Sequence, residues 1–287
     1  MNINKLLLFF LFMPFYLMAA DKLIWYAYSQ PPAYIFKGEN AGKGYINLTS
    51  DILKPLLPQY RHIEVQASVG RIMRDLREGK NVCVYGLFQT EEREKFVHYS
   101  KKALLHRNVR IMINKTQFKT LRLNKTESLR RLLTELKLEL MLIHGRSYGP
   151  LADEIVYFNP DNVYYRASSE SAALFNMLDN ERFDFMLAFP GAATYAIKTL
   201  NFKHEYELIH IQNQKPYAAS NIGCSKTSWG KQTISDINIA LEQALRDPKY
   251  FNALTYWTNH LDDHSAFYRY YKEQLINNNE PPSLNDE

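Results

Sequence analysis

The residue best suited to bind a small anion is Arg93, in the segment TEEREKFVHYS that runs from Thr90 to Ser100. A guanidinium group is permanently charged, and its planar fork of N–H groups fits a carboxylate through two hydrogen bonds. Arg93 is also one of several charged residues at the start of a predicted helix, where solvated side chains are common. The residue type alone leaves both interpretations open.

A second group suited to anions is the turn His144-Gly145-Arg146-Ser147, which is predicted to open a helix. Helix N-termini attract anions through free N–H groups and through the helix dipole. Two arginines at one site would favour a strongly anionic or dicarboxylate ligand. The alternative is that Arg146 points to solvent.

Signals for catalysis are weak. The sequence has no G-x-S-x-G, no phosphate-binding loop and no H-E-x-x-H motif. His260 and His264 have metal-ligand spacing, but a solvated helix end is the simpler interpretation. The sequence therefore predicts a protein that is not an enzyme and has no metal site and no cofactor.

Composition and charge narrow the class of protein. Of 287 residues, 46% are hydrophobic and 23% are charged, which is an ordinary globular balance. The net charge is +5, and no run of lysine and arginine exceeds two residues. A protein that binds nucleic acid usually concentrates its basic residues, so that class is not expected.

The first 20 residues have the features of a secretory signal peptide. Lys5 is followed by an uncharged apolar stretch and by Ala19-Ala20, which suit cleavage. We expect cleavage near Ala20 and a periplasmic mature protein, although an uncleaved anchor is the alternative. No cysteine follows the apolar stretch, so a lipid anchor is not expected.

The remaining chain alternates predicted strands and helices, as in a parallel α/β layer. Strands are expected at Lys22–Tyr28, His62–Ala67, Asn81–Phe88, Leu138–Ile143, Phe183–Ala188 and Tyr206–Ile211, with helices between them. The chain closes with two helices and a polar tail.

Several segments match one family pattern in order. They are Leu23–Tyr28, Pro31-Pro32-Ala33-Tyr34, Gly44-Tyr45, Leu76–Lys80, Thr90–Arg93 with Phe96–Ser100, Leu140–Gly145, Arg182–Asp184 and Tyr250–Trp257. In this set, which covers nearly all of residues 22–262, the chain resembles a type II periplasmic solute-binding protein. The resemblance is to the polar amino-acid-binding type, bacterial extracellular solute-binding family 3, which serves ABC importers.

The resemblance implies a two-lobed α/β fold of the periplasmic-binding-protein type II class. Each lobe would be a mainly parallel sheet flanked by helices, and two crossover strands would join the lobes. Lobe one would comprise residues 21–112 and 217–262, and lobe two residues 113–216. Residues 263–287 would form a C-terminal tail, partly disordered. The ligand would lie in the interlobe cleft, which closes by hinge bending.

The resemblance also implies a set of binding residues. Arg93 would hold a ligand carboxylate, with Thr90 beside it. Gly86 and Phe88 end a strand, where parallel α/β sheets bind ligands, and would line the cleft. Tyr28 and Tyr34 are the expected aromatic cleft residues, whereas Trp25 and Tyr26 are expected in the core. From lobe two, Gly145, Arg146, Ser147 and Phe189 would face the ligand.

Phe189 departs from the family pattern. Amino-acid binders of this family place an aspartate at this position, where it holds the ammonium group of the ligand. Because phenylalanine stands there, free α-amino acids are not expected to bind well. A cation–π contact could substitute in part, and a ligand without an amine is equally open.

The chain has two cysteines, Cys83 and Cys224. An even pair in an oxidising compartment favours a disulfide, and two buried thiols are the alternative. In the family order, the strand that carries Cys224 returns beside the strand that carries Cys83. The resemblance therefore makes a disulfide feasible.

The expected function is periplasmic binding of a small carboxylate-bearing solute by a monomer, which presents it to a membrane permease or sensor. One alternative is an enzyme on the same fold, of the dehydratase kind, with Glu91, Glu92 and His144 as the nearby acids and bases. The other is a secreted interaction module without a small ligand.

Overall fold

The computed structural model describes residues 21–157, 160–167, 171–259 and 263–277. The predicted signal peptide, residues 1–20, lies outside them. The strands are β1 (Asp21–Ala27), β2 (Tyr60–Gln66), β3 (Val82–Leu87), β4 (Val97–Arg107), β5 (Arg110–Asn114), β6 (Thr126–Glu127), β7 (Leu140–Ile143), β8 (Val163–Arg166), β9 (Phe185–Ala188), β10 (Tyr206–Ile211) and β11 (Tyr217–Ser225).

The helices fill the gaps between the strands and cover the sheets. They are α1 (Tyr45–Leu53), α2 (Val69–Arg77), α3 (Glu91–Glu94), α4 (Lys115–Thr120), α5 (Leu129–Thr134), α6 (Pro150–Tyr157), α7 (Ser171–Asp179), α8 (Pro190–Thr199), α9 (Ser228–Arg246), α10 (Pro248–Thr255) and α11 (His264–Tyr271). None of the helices in the described part of the chain has the length and apolar character needed to cross a membrane.

The strands form two separate sheets. The sheet of lobe one has the order β2-β1-β3-β11-β4, and that of lobe two has the order β6-β10-β5-β9-β7-β8. The strands β1, β2 and β3 run parallel, as do β7, β8 and β9, whereas β5 and β11 pair antiparallel with their neighbours. The two-lobed α/β fold expected from the sequence is confirmed.

Local sequence explains why these elements form. Helix α2 begins after Ser68, whose hydroxyl accepts a hydrogen bond from the Arg71 N–H, and its buried face carries Ile72, Met73 and Leu76. Strand β3 is almost entirely buried because helices cover both faces of the sheet.

The two connections between the lobes lie side by side. One joins β4 to β5, and the other joins β10 to β11. The Asn108 N–H donates to the Pro216 carbonyl at 2.9 Å, and the Asn108 side-chain amide donates to the Lys215 carbonyl at 3.2 Å. These bonds hold the two connections together.

The disulfide Cys83–Cys224 is present. The two cysteines are directly paired across the antiparallel ladder of β3 and β11, with Cα atoms 4.1 Å apart. This confirms the predicted pairing. The bond links the returning strand β11 covalently to β3 at the centre of lobe one.

Two elements of lobe one were not predicted. Strand β4 is 11 residues long and pairs along the length of β11. Helix α11 lies within the segment expected to be a tail, and its Phe267 and Tyr271 are buried against lobe one. Residues 278–287 of that segment lie outside the described part of the chain.

Candidate functional site

A cavity of about 40 Å³ lies between the lobes. It is lined by most of the residues singled out in the sequence, namely Tyr28, Tyr34, Gly86, Phe88, Arg93, Arg146, Ser147 and Phe189. Thr90 and Gly145 line an adjoining, wider cavity of about 400 Å³, which Arg93, Arg146 and Ser147 share. The ten predicted site residues therefore line two neighbouring cavities, which share Arg93, Arg146 and Ser147.

Arg93 connects the two walls of the cleft. Its side chain is almost fully buried, and Nη1 donates to the Phe88 carbonyl of lobe one at 2.9 Å. Nη2 donates to the Gly145 carbonyl of lobe two, also at 2.9 Å. Thr90 is the N-cap of α3, because its hydroxyl accepts a hydrogen bond from the Arg93 N–H. The cap sets the start of α3, and Arg93 lies within its first turn.

Gly86 brings the backbone of β3 close to helix α1. Its φ of +85° is in the left-handed region, and an added Cβ would lie 2.9 Å from Ile46 Cδ1. Only glycine fits this position without strain. The backbone at the edge of the cleft, next to Phe88, therefore requires a residue without a side chain.

The turn that contains Gly145 does not open a helix, contrary to the prediction. Helix α6 begins at Pro150, after an irregular segment that ends with Gly149 at φ +100°. Asp153 supplies the anion at this helix start: it accepts hydrogen bonds from the Ser147 hydroxyl and from the Tyr148 N–H. The Tyr148 N–H is therefore already bonded within the protein and is not free to bind an anion. Arg146 is the cationic side chain of this turn.

Arg146 and Phe189 form the wall contributed by lobe two. The Arg146 guanidinium lies 5.7 Å from the centroid of the Phe189 ring and 5.1 Å from that of Tyr148, which is cation–π geometry. Phe189 precedes α8 and stacks on Phe88 of lobe one, with ring centroids 6.1 Å apart and an angle of 11°.

His106 is a cleft residue that the sequence did not single out. It lies on β4 and contacts the rings of Phe88 and Phe189, with centroids 5.5 and 5.8 Å away. Its Nδ1 shares a hydrogen bond with the Tyr45 hydroxyl at 3.3 Å, and its Nε2 with the Ser220 hydroxyl at 2.7 Å. Burial lowers the pKa of His106 to about 4, so the ring is neutral at ordinary pH.

The inner cavity is electropositive. Arg93 and Arg146 line it, and no carboxylate does so among the residues that the structure describes. The predicted acids lie further out: Glu92 lines the wider cavity and pairs with Arg77 at 2.6 Å, and Glu91 is exposed. Uncompensated positive charge between aromatic walls favours a ligand that carries negative charge.

The described residues contain no cluster of side chains suited to a metal ion. No group of three or more histidine, cysteine, aspartate or glutamate side chains there could hold an ion. The pair His260 and His264 lies partly outside the described part of the chain.

Comparison with solved structures shows the fold. A putative L-cystine ABC transporter protein from Listeria monocytogenes superimposes with a TM-score of 0.67 at 16% identity, covering 84% of this chain and 97% of that one. An ancestral arginine-binding protein bound to glutamine gives 0.64 at 18% identity, with 85% and 100% covered. This chain has the fold of amino-acid substrate-binding proteins.

A further neighbour supports the same conclusion. A substrate-binding protein of an ABC uptake transporter from Streptococcus pneumoniae, with bound histidine, gives a TM-score of 0.64 at 15% identity, with 83% and 92% covered. No protein-family model matches the sequence, and no curated protein matches it significantly. The similarity therefore concerns the fold and not a specific ligand.

Proposed function

We propose that this protein is an exported solute-binding protein that holds a small carboxylate-bearing anion between its lobes. It would present this solute to a membrane importer or sensor. The observation that carries the proposal is the inner cavity, which Arg93 and Arg146 line and to which the described residues contribute no carboxylate. The lobe that carries β1 to β4 and β11, and the lobe that carries β5 to β10, would move on the paired connections at Asn108.

Arg93 has the geometry to couple anion binding to closure. Its two terminal nitrogens now donate to one carbonyl from each lobe. A ligand carboxylate would replace these neutral acceptors with a charged one, and charge-assisted bonds are about twice as strong. If the carboxylate replaces only the Phe88 carbonyl, Nη2 keeps its bond to the Gly145 carbonyl, and the same guanidinium would hold both the ligand and lobe two.

Phe189 argues for a ligand that lacks an ammonium group. Its ring stands between Phe88 and Arg146, so an incoming ammonium would meet the repulsion of Arg146 without a carboxylate to offset it. A planar or apolar body next to the carboxylate would instead pack on the rings of Phe88 and Phe189. The ligand class that fits is a carboxylate with an uncharged body.

An enzymatic role is less well supported. His106 and Ser220 are hydrogen-bonded, as in a base–nucleophile pair, but Ser220 is fully buried and cannot reach a substrate. His106 is also held by Tyr45 and packed between two phenylalanine rings. These contacts suit a wall of the cleft better than a reacting centre.

The proposal can be tested by native mass spectrometry of protein purified from its own periplasm. A co-purified small carboxylate is the expected result, and a thermal-shift screen of carboxylates should then show ligand-dependent stabilisation without turnover. The standard α-amino acids serve as the matched set, and we expect weak or no binding. A sub-micromolar amino-acid ligand would contradict the ligand class, and stabilisation by no small solute would contradict the binding function.

A further inference from the structure

A second cavity lies at the hinge, away from Arg93 and Arg146. Its volume is about 430 Å³. The two connections between the lobes supply one side, including Arg107, Asn108 and Lys215, and lobe two supplies the other, including Thr194 and His210. It shares Arg107 alone with a small apolar pocket behind Phe189, and none of its lining residues belongs to the inner cavity of the cleft.

The single carboxylate among the described lining residues is already engaged. Asp263 accepts two hydrogen bonds from Arg107 Nε, at 2.9 and 3.1 Å, and one from Arg107 Nη2 at 2.5 Å. It also accepts a bond from the Tyr217 hydroxyl at 3.0 Å. Arg107 and Asp263 thus neutralise each other, and Asp263 has little capacity left for another cation.

The other cationic side chains of this cavity form no ion pair with the described residues. The Arg110 side chain is partly buried and forms no hydrogen bond or ion pair with any residue that the structure describes, although Asp263 interacts with its charge at longer range. The charge of Arg110 also lowers the pKa of His210, in addition to the effect of burial. Lys215 lines the same space and is exposed. After Asp263 cancels Arg107, the lining carries an excess of two positive charges.

An orphaned donor lies at the same place. The Gln214 side-chain nitrogen Nε2 is buried from solvent and has no hydrogen-bond partner in the described part of the chain. A buried donor without an acceptor costs free energy, so such a group marks a missing partner. Gln214 follows β10 in the chain, close to Lys215, and both line this cavity together with Arg110.

From this geometry we propose that the hinge cavity binds a small multivalent oxyanion of the phosphate or sulfate class. Arg110 and Lys215 supply the charge, and the Gln214 amide supplies a directed donor. The site is independent of the solute cleft and does not require the proposed function. Arg110 lies on β5, and Gln214 and Lys215 lie in the connection that follows β10, so an anion there would bind to lobe two and its connections.

Isothermal titration of the full-length protein with inorganic phosphate, at an ionic strength held constant with sodium chloride, tests the site. We expect saturable binding that Arg110→Gln weakens by about tenfold or more, since hydrogen bonds to charged groups are the strong ones. Gln214→Leu should weaken binding several-fold without any change in net charge. It also keeps the test decisive if Arg110→Gln fails to fold.

Two control variants separate this site from its alternatives. Arg130→Gln removes an exposed arginine of lobe two and should leave phosphate affinity unchanged. Arg93→Ala should also leave it unchanged, although it is expected to abolish solute binding in the cleft. Absence of phosphate binding, loss of binding in Arg93→Ala, or equal weakening in Arg110→Gln and Arg130→Gln would each overturn the proposal.

Discussion

The interior of each lobe is stabilised by a different combination of contacts. In lobe one, the disulfide Cys83–Cys224 crosses the centre of the sheet, and tyrosine hydroxyls tie helices to strands. The Tyr250 hydroxyl donates to the Ala103 carbonyl at 2.8 Å, and that of Tyr271 donates to the Leu245 carbonyl at 2.7 Å. These ties are covalent or uncharged, so pH has little influence on them.

In lobe two, carboxylates anchor the backbone by accepting hydrogen bonds. Backbone N–H groups donate to four buried or partly buried acids, Glu127, Asp153, Asp179 and Asp184. The strands of this lobe are two to six residues long, so their loops need such anchors. Lobe one also contains a buried carboxylate, Asp75, which accepts hydrogen bonds from the Tyr26 hydroxyl and from Lys80. The two lobes therefore share ionised anchors, and what distinguishes lobe one is the covalent tie across its sheet.

The largest expected effect comes from removing the covalent tie. The double variant Cys83→Ser, Cys224→Ser opens a loop of 141 residues. On the chain-entropy model it should lower the free energy of unfolding by on the order of 4–5 kcal/mol. Chemical denaturation followed by tryptophan fluorescence measures this, because all three tryptophans lie in lobe one.

Thiol labelling provides the control for the disulfide. Denatured, unreduced protein that has been freshly exported should show no free thiol, and reduced wild type should behave like the double variant. Two free thiols per chain, or an unchanged unfolding free energy, would show that lobe one does not depend on the bond.

The next largest effect concerns the residue that joins the lobes. Arg93→Ala should abolish binding of the co-purified solute, since loss of the partner of a buried charge typically costs about 3–5 kcal/mol. Calorimetric titration measures the affinity, and circular dichroism checks that the fold is intact. Arg61→Ala, which removes an exposed arginine of β2 in lobe one, is the matched control. Equal affinities of wild type and Arg93→Ala would refute the assignment.

A smaller effect is expected in lobe two. Asp179 accepts hydrogen bonds from the Lys203 and His204 N–H groups and from the Tyr206 hydroxyl. Asp179→Asn replaces one of its acceptor oxygens with an amide donor and should cost about 1–3 kcal/mol of stability. Asp161→Asn, at an exposed position of the same lobe, should cost almost nothing. A cost confined to lobe two would appear as early loss of amide hydrogen protection there.

Asp179 should also make the stability of lobe two depend on pH. Burial alone would raise the pKa of Asp179, but the hydrogen bonds outweigh it and the net pKa is lowered. A carboxyl with a lowered folded-state pKa stabilises the protein above its unfolded pKa of about 3.9 and loses that contribution as the pH falls through the folded value. Lobe two should therefore lose stability below about pH 4, and Asp179→Asn should lack that part of the loss. An identical acid transition in both proteins would contradict this.

The smallest effect concerns a contact between the lobes. Tyr195 of lobe two packs edge-on against Trp257 of lobe one, with ring centroids 5.2 Å apart. A double-mutant cycle with Tyr195→Ala and Trp257→Ala should give a coupling of about 0.5–1.5 kcal/mol, the value typical of aromatic pairs. The pair Tyr164→Ala and Trp257→Ala has no such contact and should be additive. Additivity in both cycles would show that the lobes do not close onto this contact.

Much of the fold could be predicted because most buried strands are short apolar runs bounded by turn residues. Strand β4 escaped prediction because its buried positions, among them Val97, Ser100 and Leu104, do not keep one alternation. The ladder with β11 shifts register twice near Asn221, and each shift changes which side chains face the core. Only the partner strand reveals this pattern.

The residues of the cleft could be predicted only in part. Arg93 and Phe189 could be placed there through the resemblance of the surrounding segments to a family pattern, and their roles toward a ligand stay predictions. His106 could not, because a single histidine on an unrecognised strand carries no signal of its own. Its position depends on β4 pairing with β11, which brings Ser220 to its ring. The α6 start was also misplaced, because the turn at Gly145 is followed by a second glycine turn before Pro150.

The backbone pairing of Asn108 with Pro216 has a consequence for how the molecule could change over evolution. The chain leaves lobe one and returns to it at adjacent positions, so lobe two is in effect a cassette inserted into a single hairpin of β4 and β11. Insertions at such paired ends are well tolerated, because the host domain does not need to separate its strands. Exchanging residues 110–214 for another insert, or for a short turn, would leave the ladder, the disulfide and the C-terminal helices in place. The wall of the cleft that carries Arg146 and Phe189 could then be exchanged as one module, while the wall that carries Arg93 and Phe88 stays the same.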